Sequence, residues 1–183
     1  MAETVTAPNV VAILRRHAEE RAEQHAAAFV TDPDREDGAR WLTYAELDRE
    51  ARSIAVRLRE HVAPGDRVVL LYPAGLAFLT AFFGCLYAGA VAVPSSLPGR
   101  YRHERYRVKR IADDAGATAI LTDTGTRPDV EEWITEEGLD QLPCWSPTTA
   151  PGRARTAGKR RPPATTRSPC CSTPRDPPAI PRA

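Results

Sequence analysis

The stretch Val68-Val-Leu-Leu-Tyr-Pro-Ala-Gly-Leu-Ala-Phe-Leu-Thr-Ala-Phe-Phe-Gly-Cys-Leu-Tyr-Ala-Gly-Ala-Val-Ala-Val-Pro94, continued to Gly99, contains no charged side chain. It is longer than the roughly 20 apolar residues that span a bilayer. Pro73, Gly75, Gly84, Gly89 and Pro94 nevertheless divide it into a β-rich piece, a helical piece and a second β-rich piece, each too short to cross. Such a unit is apolar throughout because a parallel sheet is covered by helices on both sides. The stretch therefore predicts a buried strand-helix-strand and no membrane span.

Outward from this unit, helices alternate with short apolar strands. Asn9 to Ala27 carries Val10, Ile13, Leu14 and Ala18 at helical spacing, and predicts an amphipathic first helix. Ala28 to Thr31 and Arg40 to Leu42 read as strands around a polar turn. Thr43-Tyr-Ala-Glu46 has the form of a capping box: the Thr hydroxyl accepts from a first-turn amide while Glu46 reaches back. Leu47, Ala51, Ile54, Ala55 and Leu58 follow on one helical face, and Pro64-Gly65-Asp66 turns the chain into the strand Arg67 to Tyr72. Beyond Gly99, His103 to Ala115 predicts a helix, Thr118 to Thr122 a strand and Asp129 to Glu137 another helix. The class is α/β with a mainly parallel sheet.

Charge divides the chain at Trp145. Residues 1–145 carry a net −6, whereas residues 146–183 carry +7, nine of the 17 prolines and a single large apolar residue, Ile180. A segment of that composition has no core to bury, so 1–145 reads as a partial domain and 146–183 as a disordered basic tail. The four cysteines, Cys85, Cys144, Cys170 and Cys171, lack paired zinc-site spacing and are expected to be reduced thiols in a cytoplasmic protein. The N-terminus has no signal-peptide pattern.

Three segments in order carry a family resemblance: Leu42-Thr-Tyr-Ala-Glu-Leu47, then Pro64-Gly-Asp-Arg-Val-Val-Leu-Leu-Tyr-Pro73, then Gly75 to Pro94. Together they resemble the first two core motifs of the adenylate-forming enzymes. The wording Phe82-Phe-Gly-Cys-Leu-Tyr-Ala-Gly89, with Leu97-Pro-Gly-Arg100 beyond it, is most similar to the fatty acyl-AMP ligase branch. The resemblance implies an incomplete N-terminal portion of that family's large domain. It also implies that an intact relative joins a fatty acid to AMP using ATP and Mg²⁺, then passes the acyl group to an acyl carrier protein of polyketide or peptide synthesis. The carboxylate attacks the α-phosphorus, so such catalysis rests on positioning and charge stabilisation. These residues belong to the scaffold. Gly84, Ala88 and Gly89 are expected to let a buried helix approach the sheet closely. No catalytic, cofactor-binding or metal-binding residue is assigned, and neither G-x-x-x-x-G-K-[ST] nor G-x-G-x-x-G occurs. No cofactor is expected for the fragment itself.

Other chemistry-bearing groups read as surface. Arg100, Arg102, Arg105, Arg107, Lys109 and Arg110, with Tyr101 and Tyr106 among them, suggest a nucleic-acid face, but on a helix within an acidic domain they fit a solvated surface better. His17, His25, His61 and His103 are scattered, each expected on an exposed helix position.

The tail reads differently in another frame. When the codons of Thr166 to Ala183 are read from the third base of each, with GC-rich choices and a TGA stop after Ala183, they spell Ala-Leu-Ala-Leu-Leu-Gln-Tyr-Thr-Ser-Gly-Ser-Thr-Arg-Asp-Pro-Lys-Gly-Val. That text resembles the family's Ser/Thr/Gly-rich phosphate loop with its lysine. A frameshift between Cys144 and Thr166 is the implied cause, and the resemblance then places the catalytic machinery outside the translated text. The rival reading is a non-catalytic module whose basic tail binds nucleic acid or an acidic partner. Because the tail has almost nothing apolar to bury, amide exchange should be fast across 146–183 and slow across the α/β part. Slow exchange in the tail would contradict this reading.

Overall fold

In the computed structural model, residues 9–35 and 38–146 are described, and the order is α1 (Val10–Glu20), β1 (His25–Val30), β2 (Ala39–Thr43), α2 (Tyr44–Leu58), β3 (Arg67–Leu71), α3 (Leu76–Ala88), β4 (Val91–Ser95), α4 (Arg102–Ala115), β5 (Ala119–Thr122), α5 (Arg127–Glu136) and β6 (Cys144–Trp145). Four strands form a parallel sheet in the order β4-β3-β5-β6, and β1 pairs with β2 as a separate antiparallel hairpin. The expected tail, 146–183, lies outside the described residues except for Ser146.

Strand β3 sits inside the sheet, and Val68, Val69, Leu70 and Leu71 are all fully buried. Side chains alternate across a strand. Val68 and Leu70 accordingly pack with α1, α2 and α3 residues such as Leu14, Ile54 and Cys85, while Val69 and Leu71 pack with Val108 and Ala112 of α4 and Val130 and Trp133 of α5. This two-sided burial explains the continuous apolar run at Val68–Leu71. Pro94 lacks a backbone N–H and is tolerated because β4 is an edge strand.

The second helix begins where its sequence dictates. Thr43 Oγ1 accepts from the Glu46 amide at 3.2 Å, and Glu46 Oε2 accepts from the Thr43 amide at 3.0 Å, closing the capping box. Helix α2 is tied to α3 by a polar network: Tyr87 Oη donates to Asp48 Oδ1 at 2.6 Å and Arg52 Nε to Asp48 Oδ2 at 2.7 Å. Arg59 donates to the Tyr87 carbonyl, and the Arg15 guanidinium lies 5.2 Å from the Tyr87 ring centroid.

Two expectations change. The first helix ends at Glu20, not Ala27, because His25–Val30 are recruited into the hairpin with β2; the Arg21 amide closes on the His17 carbonyl at 2.8 Å and the chain turns. Tertiary pairing overrides the helix propensity of Ala26, Ala27 and Ala28. The small residues of α3 also have a different partner from the one anticipated. A Cβ on Gly84 would lie 2.5 Å from Ile54 Cγ2 and 2.7 Å from Ile54 Cβ, so Gly84 sets the approach of α3 to α2, not to the sheet. Gly89 is the left-handed C-cap of α3, with φ 82°, and its amide donates to the Leu86 carbonyl.

Helix propensity alone predicts that Gly84→Ala stabilises the domain by about 1 kcal/mol. The contact with Ile54 predicts the opposite sign, a loss of about 1–3 kcal/mol from overpacking. Urea denaturation of the variant decides between them. Thr43→Ala is expected to cost about 1 kcal/mol in the same assay, through loss of the N-cap.

Candidate functional site

In an open parallel sheet, ligands are bound outside the carboxyl ends of the strands, where successive crossovers leave in opposite directions. Here that point lies between β3 and β5: the chain passes from β3 to β4 on one side and from β4 to β5 on the other. The residues at this edge are Tyr72 after β3, Ser95 at the end of β4, Thr122 at the end of β5 with Asp123 to Thr126 after it, and Trp145 and Ser146 at and after the end of β6.

Short polar side chains bind this edge together. Thr122 Oγ1 donates to the Leu71 carbonyl at 2.6 Å, joining the ends of β3 and β5, and lies 2.7 Å from Thr126 Oγ1. Asp123 Oδ1 accepts from the Thr126 amide at 2.9 Å, shaping the turn into α5. The Thr124 and Ser146 hydroxyls are 3.1 Å apart. Three polar atoms at the edge are buried without a hydrogen-bond partner: Tyr72 Oη, Ser95 Oγ and Trp145 Nε1. Burial, reinforced by the field of Cys85, then Asp123 and Cys144, holds the Tyr72 phenol well above its ordinary pKa, so it stays neutral at all ordinary pH.

The edge offers hydroxyls and one carboxylate, and that carboxylate is already engaged by an amide. Among the described residues no three of His, Cys, Asp and Glu converge so as to hold a metal ion. None of the edge contacts just described involves a Lys or Arg side chain. Tyr72 Oη, Ser95 Oγ and Trp145 Nε1 leave hydrogen-bonding capacity at this edge. Sequence reading passed over Tyr72, Thr122, Asp123 and Thr126; the available signal was a polar residue directly after each apolar strand.

Three of the six basic residues of the cluster tie α4 to its neighbours. Arg105 pairs with the Glu136 carboxylate, Lys109 donates to the Glu137 carbonyl, and Arg107 donates to Ser96 Oγ at 2.8 Å. Of the histidines, only His103 occupies the exposed helical position expected for all four. His25 lies in strand β1, its ring 4.7 Å from Trp41; His61 lies in the turn after α2, stacked on Trp145 at 3.5 Å; His17 is half-buried in α1, 5.1 Å from Tyr44. Cys85 and Cys144 are free, and Cys170 and Cys171 lie outside the described residues.

The sequence profile of the AMP-binding enzymes matches residues 14–179. The chain belongs to the AMP-binding enzyme family. It is 38% identical over 129 residues to the medium-chain-fatty-acid–[acyl-carrier-protein] ligase JamA of Moorena producens, covering 69% of this chain and 22% of that protein. It is 36% identical over 136 residues to the long-chain-fatty-acid–AMP ligase FadD32 of Mycolicibacterium smegmatis, covering 74% of this chain and 21% of that one. Among solved structures, the fatty acyl-adenylate ligase of Legionella pneumophila, in complex with acyl adenylate and pyrophosphate, superposes with a TM-score of 0.63 at 29% identity over 76% of this chain and 23% of its own. The resemblance to fatty acyl-AMP ligases therefore stands, and the chain spans about a fifth of the length of the curated relatives it matches. Among the described residues no helix is long and apolar enough to cross a membrane.

Two measurements check the electrostatics of the family member described here. Removing the unpartnered Tyr72 hydroxyl by Tyr72→Phe is expected to leave stability unchanged or raise it by about 1 kcal/mol, because an unsatisfied buried group is lost. Burial pushes the Cys85 thiol from near 9 up to about 12, and burial together with the Asp48 hydrogen bond pushes the Tyr87 phenol from 10 up to about 12. Both groups are held protonated in the folded state, so their stabilisation is complete below about pH 9 and is lost as pH rises through 9–12. The thermal midpoint should fall across that window, less steeply in Cys85→Ala.

Proposed function

We propose that this chain forms the scaffold segment of a fatty acyl-AMP ligase and makes no acyl adenylate by itself. The observation that carries this reading is the carboxyl edge of the sheet. It has the position of a ligand-binding edge in an open α/β sheet, yet its single carboxylate is bound to an amide and its other side-chain polar groups are hydroxyls and the Trp145 indole N–H. The whole protein of which this is a segment would activate a fatty acid with ATP and Mg²⁺ and deliver it to an acyl carrier protein. The names of the relatives support that substrate class: one is an acyl-carrier-protein ligase and another a fatty-acid–AMP ligase. A link to polyketide or peptide synthesis follows from the same chemistry.

Residues 146–183 are, in this proposal, translated out of frame, and the groups that would cradle the triphosphate belong to the shifted text. Backbone amides and a lysine act on phosphates only if they are translated. The +7 charge of the tail is then a by-product of the frame and does not mark a nucleic-acid partner. A cytoplasmic setting fits the free Cys85 and Cys144 thiols and a reaction that draws on ATP.

The test is fatty-acid-dependent ATP–pyrophosphate exchange by the purified 183-residue protein, for which no exchange above background is expected. A gene with the frame restored and continued by its downstream sequence should give exchange. Robust adenylate formation by the short chain would contradict the proposal. Salt-sensitive binding of RNA or DNA, lost when 146–183 is removed, would instead favour the binding-module reading.

A further inference from the structure

Half of the basic cluster on α4 has no structural task. Residues 100–110 hold six Lys or Arg and one acid, Glu104. Glu104 is turned back onto the Tyr101 amide at 3.4 Å, and Arg105, Arg107 and Lys109 are tied to neighbouring elements. Arg100, Arg102 and Arg110 are exposed, and their side chains hold no partner among the described residues. Tyr101 and Tyr106 stand among them, 67% and 56% exposed, with the Tyr101 ring stacked on His103 at 5.7 Å.

Helix stability alone does not ask for this pattern. Arg102 and His103 lie in the first turn of α4 and Asp113 and Asp114 in its last, the reverse of the order that the helix dipole favours. Arg102, Tyr106 and Arg110 recur every four residues and so share one row along the outer face, about 12 Å long. Tyrosine and arginine are the side chains enriched where protein surfaces meet. The row also lies beside the ligand edge: α4 carries the chain from β4 to β5, so its first turn stands at the carboxyl end of the sheet, and Arg107 reaches Ser96 just beyond β4. The patch is bounded by acids. Asp113 and Asp114 close one end, Glu132 and Glu136 are exposed on α5, which Arg105 joins to α4, and residues 1–145 carry −6 overall. A nucleic acid or an anionic membrane would lay extended negative charge against those carboxylates, whereas a small protein with a compact acidic surface meets the basic row alone.

We propose that the outer face of α4, centred on Tyr106, docks a small acidic protein, which in the proposed function is the acyl carrier protein. This deepens the proposed function and rests on its delivery step. Tyr106 supplies the central apolar contact, and Arg102 and Arg110 pair with carboxylates of the partner on either side of it. A carrier held there stands beside the carboxyl edge of the sheet.

Nuclear magnetic resonance titration of the isotope-labelled 183-residue protein with a purified bacterial holo acyl carrier protein tests it. The amides of residues 101–110 should shift saturably, and binding should weaken as salt is raised. Arg102→Glu with Arg110→Glu, and separately Tyr106→Ala, should each weaken binding at least about tenfold. These side chains are exposed, so circular dichroism of the variants should match that of the parent. The basic tail serves as the internal control: Arg160→Gln, Arg161→Gln and Arg167→Gln together should leave the α4 shifts in place. Shifts confined to 146–183, unchanged affinity of the α4 variants, or α4 shifts that need less oligothymidylate or anionic phospholipid vesicle than carrier protein would each overturn the inference. Carrier-induced α4 shifts that the variants lose, together with no pyrophosphate exchange by the frame-restored protein, would refute the proposed function and leave this inference standing. Exchange without any α4 shift would do the reverse.

Discussion

The domain depends on one constraint: strand β3 must be buried on both faces at once. Val68 and Leu70 need one layer of helices, Val69 and Leu71 another, and neither layer is stable without the strand between them. Fully burying four aliphatic side chains contributes on the order of 1.5–3 kcal/mol each, before the entropy of ordering them is set against it. The remaining design follows from this strand. Crossovers must leave it in opposite directions to cover both faces, and that divergence creates the crevice at its carboxyl end.

Both layers are held by apolar packing, and each adds polar ties of its own. Between α2 and α3 the absent side chain of Gly84 admits Ile54, and the Asp48–Tyr87–Arg52 network fixes the register of the two helices. On the far side, α4 is clamped to the end of α5 by Arg105 on Glu136 and Lys109 on the Glu137 carbonyl. Two of the six residues of the cluster that suggests a polyanion site in the sequence, Arg105 and Lys109, thus fasten one helix to the next. A partly exposed ion pair such as Arg105–Glu136 contributes little to stability, so its main effect is on geometry.

Local signals were read correctly from the sequence. Thr43 and Glu46 cap a helix through groups three residues apart, and Pro64-Gly65-Asp66 turns the chain within a few residues, so neither depends on distant structure. The apolar run at Val68–Leu71 announced a parallel sheet because it lacked alternation. Features created by pairing were not legible. His25–Val30 has three alanines and became a strand only because β2 lies alongside, and Cys144–Trp145 is too short to show a period. Gly84 was marked as a packing residue, but its partner in α2 is thirty residues away in sequence and could only be seen in three dimensions. The carboxyl-edge residues were missed for a related reason: Tyr72, Thr122 and Asp123 meet only once the order of the strands is known.

In the proposed account, residues 146–183 are translated out of frame in a chain that belongs to the AMP-binding enzyme family. The gene itself tests this most directly, by sequencing the codons from Cys144 to Ala183 and onward. The account predicts that a single insertion or deletion before the codon for Thr166 opens a continuous frame through Gln-Tyr-Thr-Ser-Gly-Ser-Thr and a lysine. Codons incompatible with that reading, such as a TCN codon for Ser172 or a CGN codon for Arg182, would contradict it.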